Sequence, residues 1–155
     1  MLQEKLKTVE LDGIEYQMGR LPADAGSFIL MRLMGAGLTG GSLGKPLEDT
    51  PADVAAVAPT GEEMVRAVCF AAFMRGLSFE DLRFVQRQCM MVVARWELTA
   101  GQRVPMPVMS STGQWAVAEV GENVGLVTRL MIEVLVFNLS DFFSGGGAGS
   151  LMTAR

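Results

Sequence analysis

The residue types that do chemistry are scarce in this chain, and their scarcity narrows its function. Its 155 residues contain no histidine, which removes Ser-His-Asp and Cys-His catalysis, histidine metal ligands and the usual proton shuttle near neutral pH. The only cysteines, Cys69 and Cys89, lie inside apolar helical patterns and read as buried free thiols. Without histidine they do not make an ordinary zinc site. Three acidic pairs, Glu48-Asp49, Glu62-Glu63 and Glu80-Asp81, have the composition for acid/base work. Each falls in a loop or at a helix start, where carboxylates favour the helix dipole and stay solvated. Gly40-Gly41-Ser42-Leu43-Gly44-Lys45 invites comparison with a phosphate-binding loop. Thr39 takes the place of its first glycine, Pro46 that of the magnesium-binding hydroxyl, and a helical segment precedes it where a strand is required. The expectation is a non-enzymatic protein with no cofactor and no metal.

What the sequence supplies instead is apolar surface. Half of the residues are hydrophobic and twelve are methionine. From Val117 to Phe143, a period of 3.6 residues puts Glu122, Gly125, Arg129, Glu133 and Ser140 on one narrow strip. Val120, Val124, Val127, Met131, Val134 and Leu135 form a seam, and Leu130, Ile132, Val136, Phe137 and Leu139 widen it. A helix this apolar needs neighbours on several sides, so 117–143 is expected to be the central helix, with its charged strip left in water. The methionines recur in near-adjacent sets, Met31 and Met34, Met90 and Met91, Met106 and Met109. Flexible, polarisable side chains suit surfaces that accept varied apolar helices. Met90, Met91, Met131, Leu135, Phe142 and Phe143 are the candidate partner-binding residues.

Several shorter elements position that helix. Lys7–Leu11 and Ile14–Met18 alternate about Asp12-Gly13, a dipeptide suited to a type I′ turn. After Leu21-Pro22, Asp24 or Ser27 caps a helix through Phe28–Met34, which Gly35 and Gly37 end. Residues 38–60 read as a flexible Gly/Pro-rich loop, with a short helix over Pro51–Ala58 started by Thr50. Thr60-Gly61-Glu62-Glu63 is a capping box opening a helix through Met74, apolar all round after Arg66. Ser78 starts another helix, whose inner stripe is Leu82, Val85, Cys89, Val92, Val93 and Trp96. Pro105 and Pro107 mark an irregular stretch, Ser110–Gly113 a turn, and Val108-Met109 with Gln114–Val117 a second small hairpin. The layout is mostly α with a small N-terminal β-hairpin, an α+β chain of four to five helices. It is a single domain over 1–143, with hairpin 7–18, loop 38–60 and helical core 61–143. A disordered glycine-rich tail over 144–155 completes it.

Net charge and continuity weigh against two partner classes. At −4 the chain disfavours nucleic acid, although the helix pair around Gly76 has a helix-turn-helix outline with Arg83, Gln86, Arg87 and Gln88 on one face. The apolar runs Phe28–Leu38, Ala67–Met74 and Val124–Leu139 all fall short of the roughly 20 uninterrupted residues of a bilayer span. A polar N-terminus lacks a signal peptide's apolar core.

The strand-turn-strand about Asp12-Gly13, the passage through Leu21-Pro22 into a helix, and the ending Leu130–Phe143 together resemble the tail assembly chaperones of long-tailed bacteriophages and related prophages. The resemblance implies a non-enzymatic protein of the bacterial host cytoplasm, absent from the mature virion. It implies binding to the tape measure protein, recruitment of the tail tube protein, and self-association. Two other classes fit the same features, a virion structural or adaptor subunit and a helix-turn-helix regulator.

Overall fold

The computed structural model describes residues 6–38 and 60–144. The chain begins with β1 (Leu6–Leu11) and β2 (Ile14–Gly19), paired antiparallel with Val9 opposite Tyr16. Asp12 and Gly13 take φ of 55° and 78°, the paired positive angles of a type I′ turn that matches strand twist. Helix α1 (Ala23–Leu38) starts directly after Pro22, with Asp24 in its first turn. Gly35 and Gly37 lie inside its last turns instead of ending it.

Helix α2 (Gly61–Met74) opens on the expected capping box: the Glu63 amide donates to Thr60 Oγ1 at 3.1 Å and the Thr60 amide to Glu63 Oε2 at 3.2 Å. Gly76, at φ +79°, lets the chain turn into α3 (Phe79–Met90). Ser78 Oγ caps that helix by accepting from the Asp81 amide at 3.1 Å.

The largest departure from the sequence reading comes next. Helix α3 stops at Met90, and the expected continuation through Val92, Val93 and Trp96 is instead strand β3 (Val93–Thr99), followed by β4 (Gln102–Pro107). Beyond buried Val93, residues 94–97 are all half-buried, so burial along the strand shows no clear alternation, and the spacing of Cys89, Val92, Val93 and Trp96 fits 3.6. Pairing with β2, Met18 opposite Val93 and Tyr16 opposite Arg95, selects the strand. The joining turn, Ala100-Gly101 at φ 51° and 80°, has the geometry of the first hairpin but lacks the Asn or Asp that advertises it. Pro105 and Pro107 are tolerated because β4 is an edge strand. Val108 donates to the Val93 carbonyl at 3.1 Å, so residues of the opposite parity, the two prolines included, turn their absent N–H outward. The sheet order is β1-β2-β3-β4. The fold is therefore an α+β assembly with a four-stranded antiparallel meander, correcting the expectation of a mostly helical chain with one small hairpin.

Beyond β4, the second small hairpin forms as a single bridge between Met109 and Trp115, closed by the Ser110–Gly113 turn. The long C-terminal helix is broken in two. A short α4 (Ala118–Gly121) precedes α5 (Val124–Ser144), because Asn123 Oδ1 accepts from the Leu126 amide at 3.0 Å and caps a fresh start.

One apolar cluster joins all the layers: Tyr16, Met18 and Val93 from the sheet, Ile29 and Leu33 from α1, Val65 and Cys69 from α2, Val85 and Met90 from α3. Leu130, Val134 and Leu135 of α5 are at its centre. Asn138 fastens α5 to the end of β2, taking the Leu21 amide at 2.8 Å and donating to the Gly19 carbonyl at 3.3 Å. The expected helix over 51–58, the Gly40–Lys45 loop and the tail from 145 lie outside the described residues.

Candidate partner-binding surface

Charged groups on the helices mainly fasten the elements together. The strip on α5, expected to face water, is half engaged: Arg129 Nη1 donates to Asp12 Oδ1 in the first hairpin turn at 3.2 Å. Glu133 takes Arg66 Nη2 of α2 at 2.7 Å, while the same Arg66 holds Glu62 at 3.0 Å. The Arg129 hydrogen bond keeps the Asp12 carboxyl below its ordinary range, a shift from an exposed pair that contributes little to stability. Arg20 lies 4.0 Å over the Phe137 ring and donates to its carbonyl at 2.6 Å.

Nucleophiles are quenched in place. Cys69 and Cys89 are both buried free thiols. Burial pushes Cys69 up to about 12 and Cys89 further still, so neither is a thiolate near neutral pH. Among the described residues no group of three His, Cys, Asp or Glu could hold a metal. Glu63 is spent in the capping box, and Asp81 faces Arg32 at 3.7 Å.

Open apolar surface gathers instead on the α2–α3 hairpin. A cavity of about 240 Å³ lies between that hairpin and α5, lined by Phe73, Gly76, Leu77, Leu82, Thr128 and Met131. Gly76, with no side chain, leaves its mouth free. On α2, Phe70, Phe73 and Met74 follow i, i+3, i+4 spacing and so share one side. Phe70 is 68% exposed, Met74 72% and Phe79, at the start of α3, 75%. Large side chains this open are unusual when several occur together. A second apolar area on α1 exposes Met31, beside Phe28 packed edge-on to Phe84 at 4.9 Å.

Of the six candidates read from sequence, the fold brings one into this cavity. Met131 forms part of its wall while only 3% exposed. Met90 and Leu135 are closed inside the chain's own core. Met91 is partly open at the far side of the molecule, beside Leu6, Pro105 and Pro107. Phe142 and Phe143, half-buried, stack edge to face at 5.1 Å in the last turn of α5. Sequence reasoning missed Phe70, Met74 and Phe79. Their signal was present, since α2 is apolar all round, but that pattern had been assigned to burial on more than one side.

No described helix is long and apolar enough to cross a membrane. No curated protein and no solved structure matches the chain. A protein family does match: phage tail assembly chaperone protein, TAC, over residues 12–149. That span takes in every described strand and helix from the first turn onward, the hairpin cavity and the exposed Phe70, Met74 and Phe79 included. The chain belongs to the phage tail assembly chaperone family.

Proposed function

We propose that this chaperone binds apolar helical segments of the tape measure protein, keeps them soluble, and helps recruit tail tube subunits to them. The observation that carries this reading is an apolar cavity between the α2–α3 hairpin and α5, on a hairpin that also leaves Phe70, Met74 and Phe79 largely exposed. Burying one such side chain contributes about 1.5–3 kcal/mol. Much of that gain is offset by lost freedom on association, so each contact is weak and reversible. Copies of the chaperone spaced along one long client gain avidity without giving up release.

An amphipathic client helix laid in the groove places one apolar side chain in the cavity against Met131, with others on Phe70 and Met74. Met91, Phe142 and Phe143 provide outlying contacts, and Met90 and Leu135 support the surface from within. The role requires no catalytic group. It belongs in the host cytoplasm before the tail is complete, with the chaperone leaving before the virion matures.

Co-expression with the tape measure protein tests the reading. Wild-type chaperone should raise the client's soluble fraction and co-purify with it, and Phe70→Ser with Met74→Ser should abolish both while circular dichroism stays unchanged. A client equally soluble with and without the chaperone sinks the proposal. Stoichiometric recovery of the chain in purified particles would replace it with a structural subunit.

A further inference from the structure

A second recess, of about 370 Å³, lies between α3 and the turn that follows β4, with Arg83, Gln86 and Arg87 on one wall and Gln114 and Trp115 on the other. Its charge balance differs from that of the rest of the surface. Arg32, Arg66, Arg95, Arg103 and Arg129 each face a carboxylate at ion-pair distance. Among the described residues, Arg83 and Arg87 face none, in a chain with net charge −4.

The walls are also fixed in advance. Arg87 Nη2 donates to the Thr112 carbonyl at 2.6 Å, and its guanidinium lies so close over Gly113 that a Cβ there would fall 2.3 Å from Nε. Gly113, at φ +84°, is favoured by the turn, and its bare Cα lets the arginine settle against it. Trp115 packs in the same manner on Gly121, where a Cβ would meet its Cγ at 2.7 Å. An arginine held by one donor keeps others available, and holding it lowers the entropy lost when it binds.

We infer that this recess docks an acidic, extended segment of a protein partner, carboxylates on Arg83 and Arg87 and the peptide's apolar atoms on the Trp115 ring. The planar arginine fork pairs with a carboxylate in bidentate geometry. Nucleic acid fits less well, because two arginines neutralise few phosphates. The site is on a different part of the surface from the hairpin cavity, and its occupancy does not depend on the tape measure reading.

The test is fluorescence anisotropy of a fluorescein-labelled glutamate-rich peptide with the full chain at low salt. Saturable binding that weakens with salt and is not reproduced by a lysine-rich peptide is expected. Arg83→Gln, whose side chain makes no ion pair, should weaken affinity about threefold or more, and Arg83→Gln with Arg87→Gln should abolish it. If the Arg87 variant alters the circular dichroism, Arg83→Gln and Trp115→Phe carry the test without it. No binding by the wild type, affinity unchanged in Arg83→Gln, or tighter binding of a short oligonucleotide than of the peptide would each overturn the inference. Displacement of the peptide by inorganic phosphate at matched concentration would also overturn it, since a bare anion would then suffice.

Discussion

Helices α5 and α2 carry a similar excess of apolar residues and meet different fates. Both are apolar on almost every side, yet α5 buries Leu126, Val127, Leu130, Met131, Val134, Leu135, Val136 and Leu139, while α2 leaves Phe70 and Met74 mostly in solvent. The difference is one of position. Helix α5 packs against α2 on one side and α3 on another, and Asn138 and Arg129 fasten it to the first hairpin. Helix α2 lies between α1 and α5, which cover Val65, Val68, Cys69 and Ala72 and nothing more. Excess apolarity is therefore core in one helix and partly exposed surface in the other, and the residue types alone do not distinguish them.

The strongest way to break this contrast is Leu135→Asp in α5. An unpaired carboxylate at a fully enclosed position should cost on the order of 4 kcal/mol or more and remove the cooperative thermal transition. A folded variant that had lost only partner binding would show that α5 is open after all. Gly121→Ala, just before α5, drives a methyl into the Trp115 ring and should lower stability by about 1–3 kcal/mol, read as a lower Tm. Unchanged Tm would mean that the α4–α5 junction yields easily. At the start of α2, Thr60→Ala deletes the capping box and should cost about 1 kcal/mol in urea unfolding. Phe70→Ser with Met74→Ser should alter stability by no more than about 0.5 kcal/mol while reducing binding of an apolar dye. A large loss of stability there would make the α2 surface part of the core.

The smallest effect comes from the contact tying α5 to the hairpin turn. Asp12 is held below its ordinary 3.8 by Arg129. Its contribution is present above 3.8 and disappears as pH falls through the lower folded value. Asp12→Asn should flatten that part of the acid limb of a stability-versus-pH profile and leave neutral pH nearly unchanged. An identical acid limb in the variant would show that the pair is idle.

Legibility in the sequence followed locality. The Asp12-Gly13 hairpin, the Thr60–Glu63 capping box, the Ser78 cap and the Ser110–Gly113 turn were readable because each is specified by residues within four positions of one another. Strands β3 and β4 were not, since Cys89, Val92, Val93 and Trp96 fit a helical period and the strand is selected by pairing with β2, more than seventy residues upstream. The break before α5 was hidden for a related reason. A capping asparagine inside an apolar run looks like a tolerated polar residue until its side chain is seen to accept the Leu126 amide.

For the binding surface, the sequence indicated an apolar surplus and excess methionine, and Met131 does line the cavity. It placed the surplus around Met131, Leu135, Phe142 and Phe143, whereas Phe70, Met74 and Phe79 on α2 and α3 are far more exposed. By itself, then, the sequence determined the local turns and caps, the absence of histidine chemistry, and a supply of apolar side chains beyond what caps and turns use. Only the tertiary structure decided which of those side chains are covered, because burial depends on which faces meet across the fold, and a helix records its own period but not the identity of its neighbours.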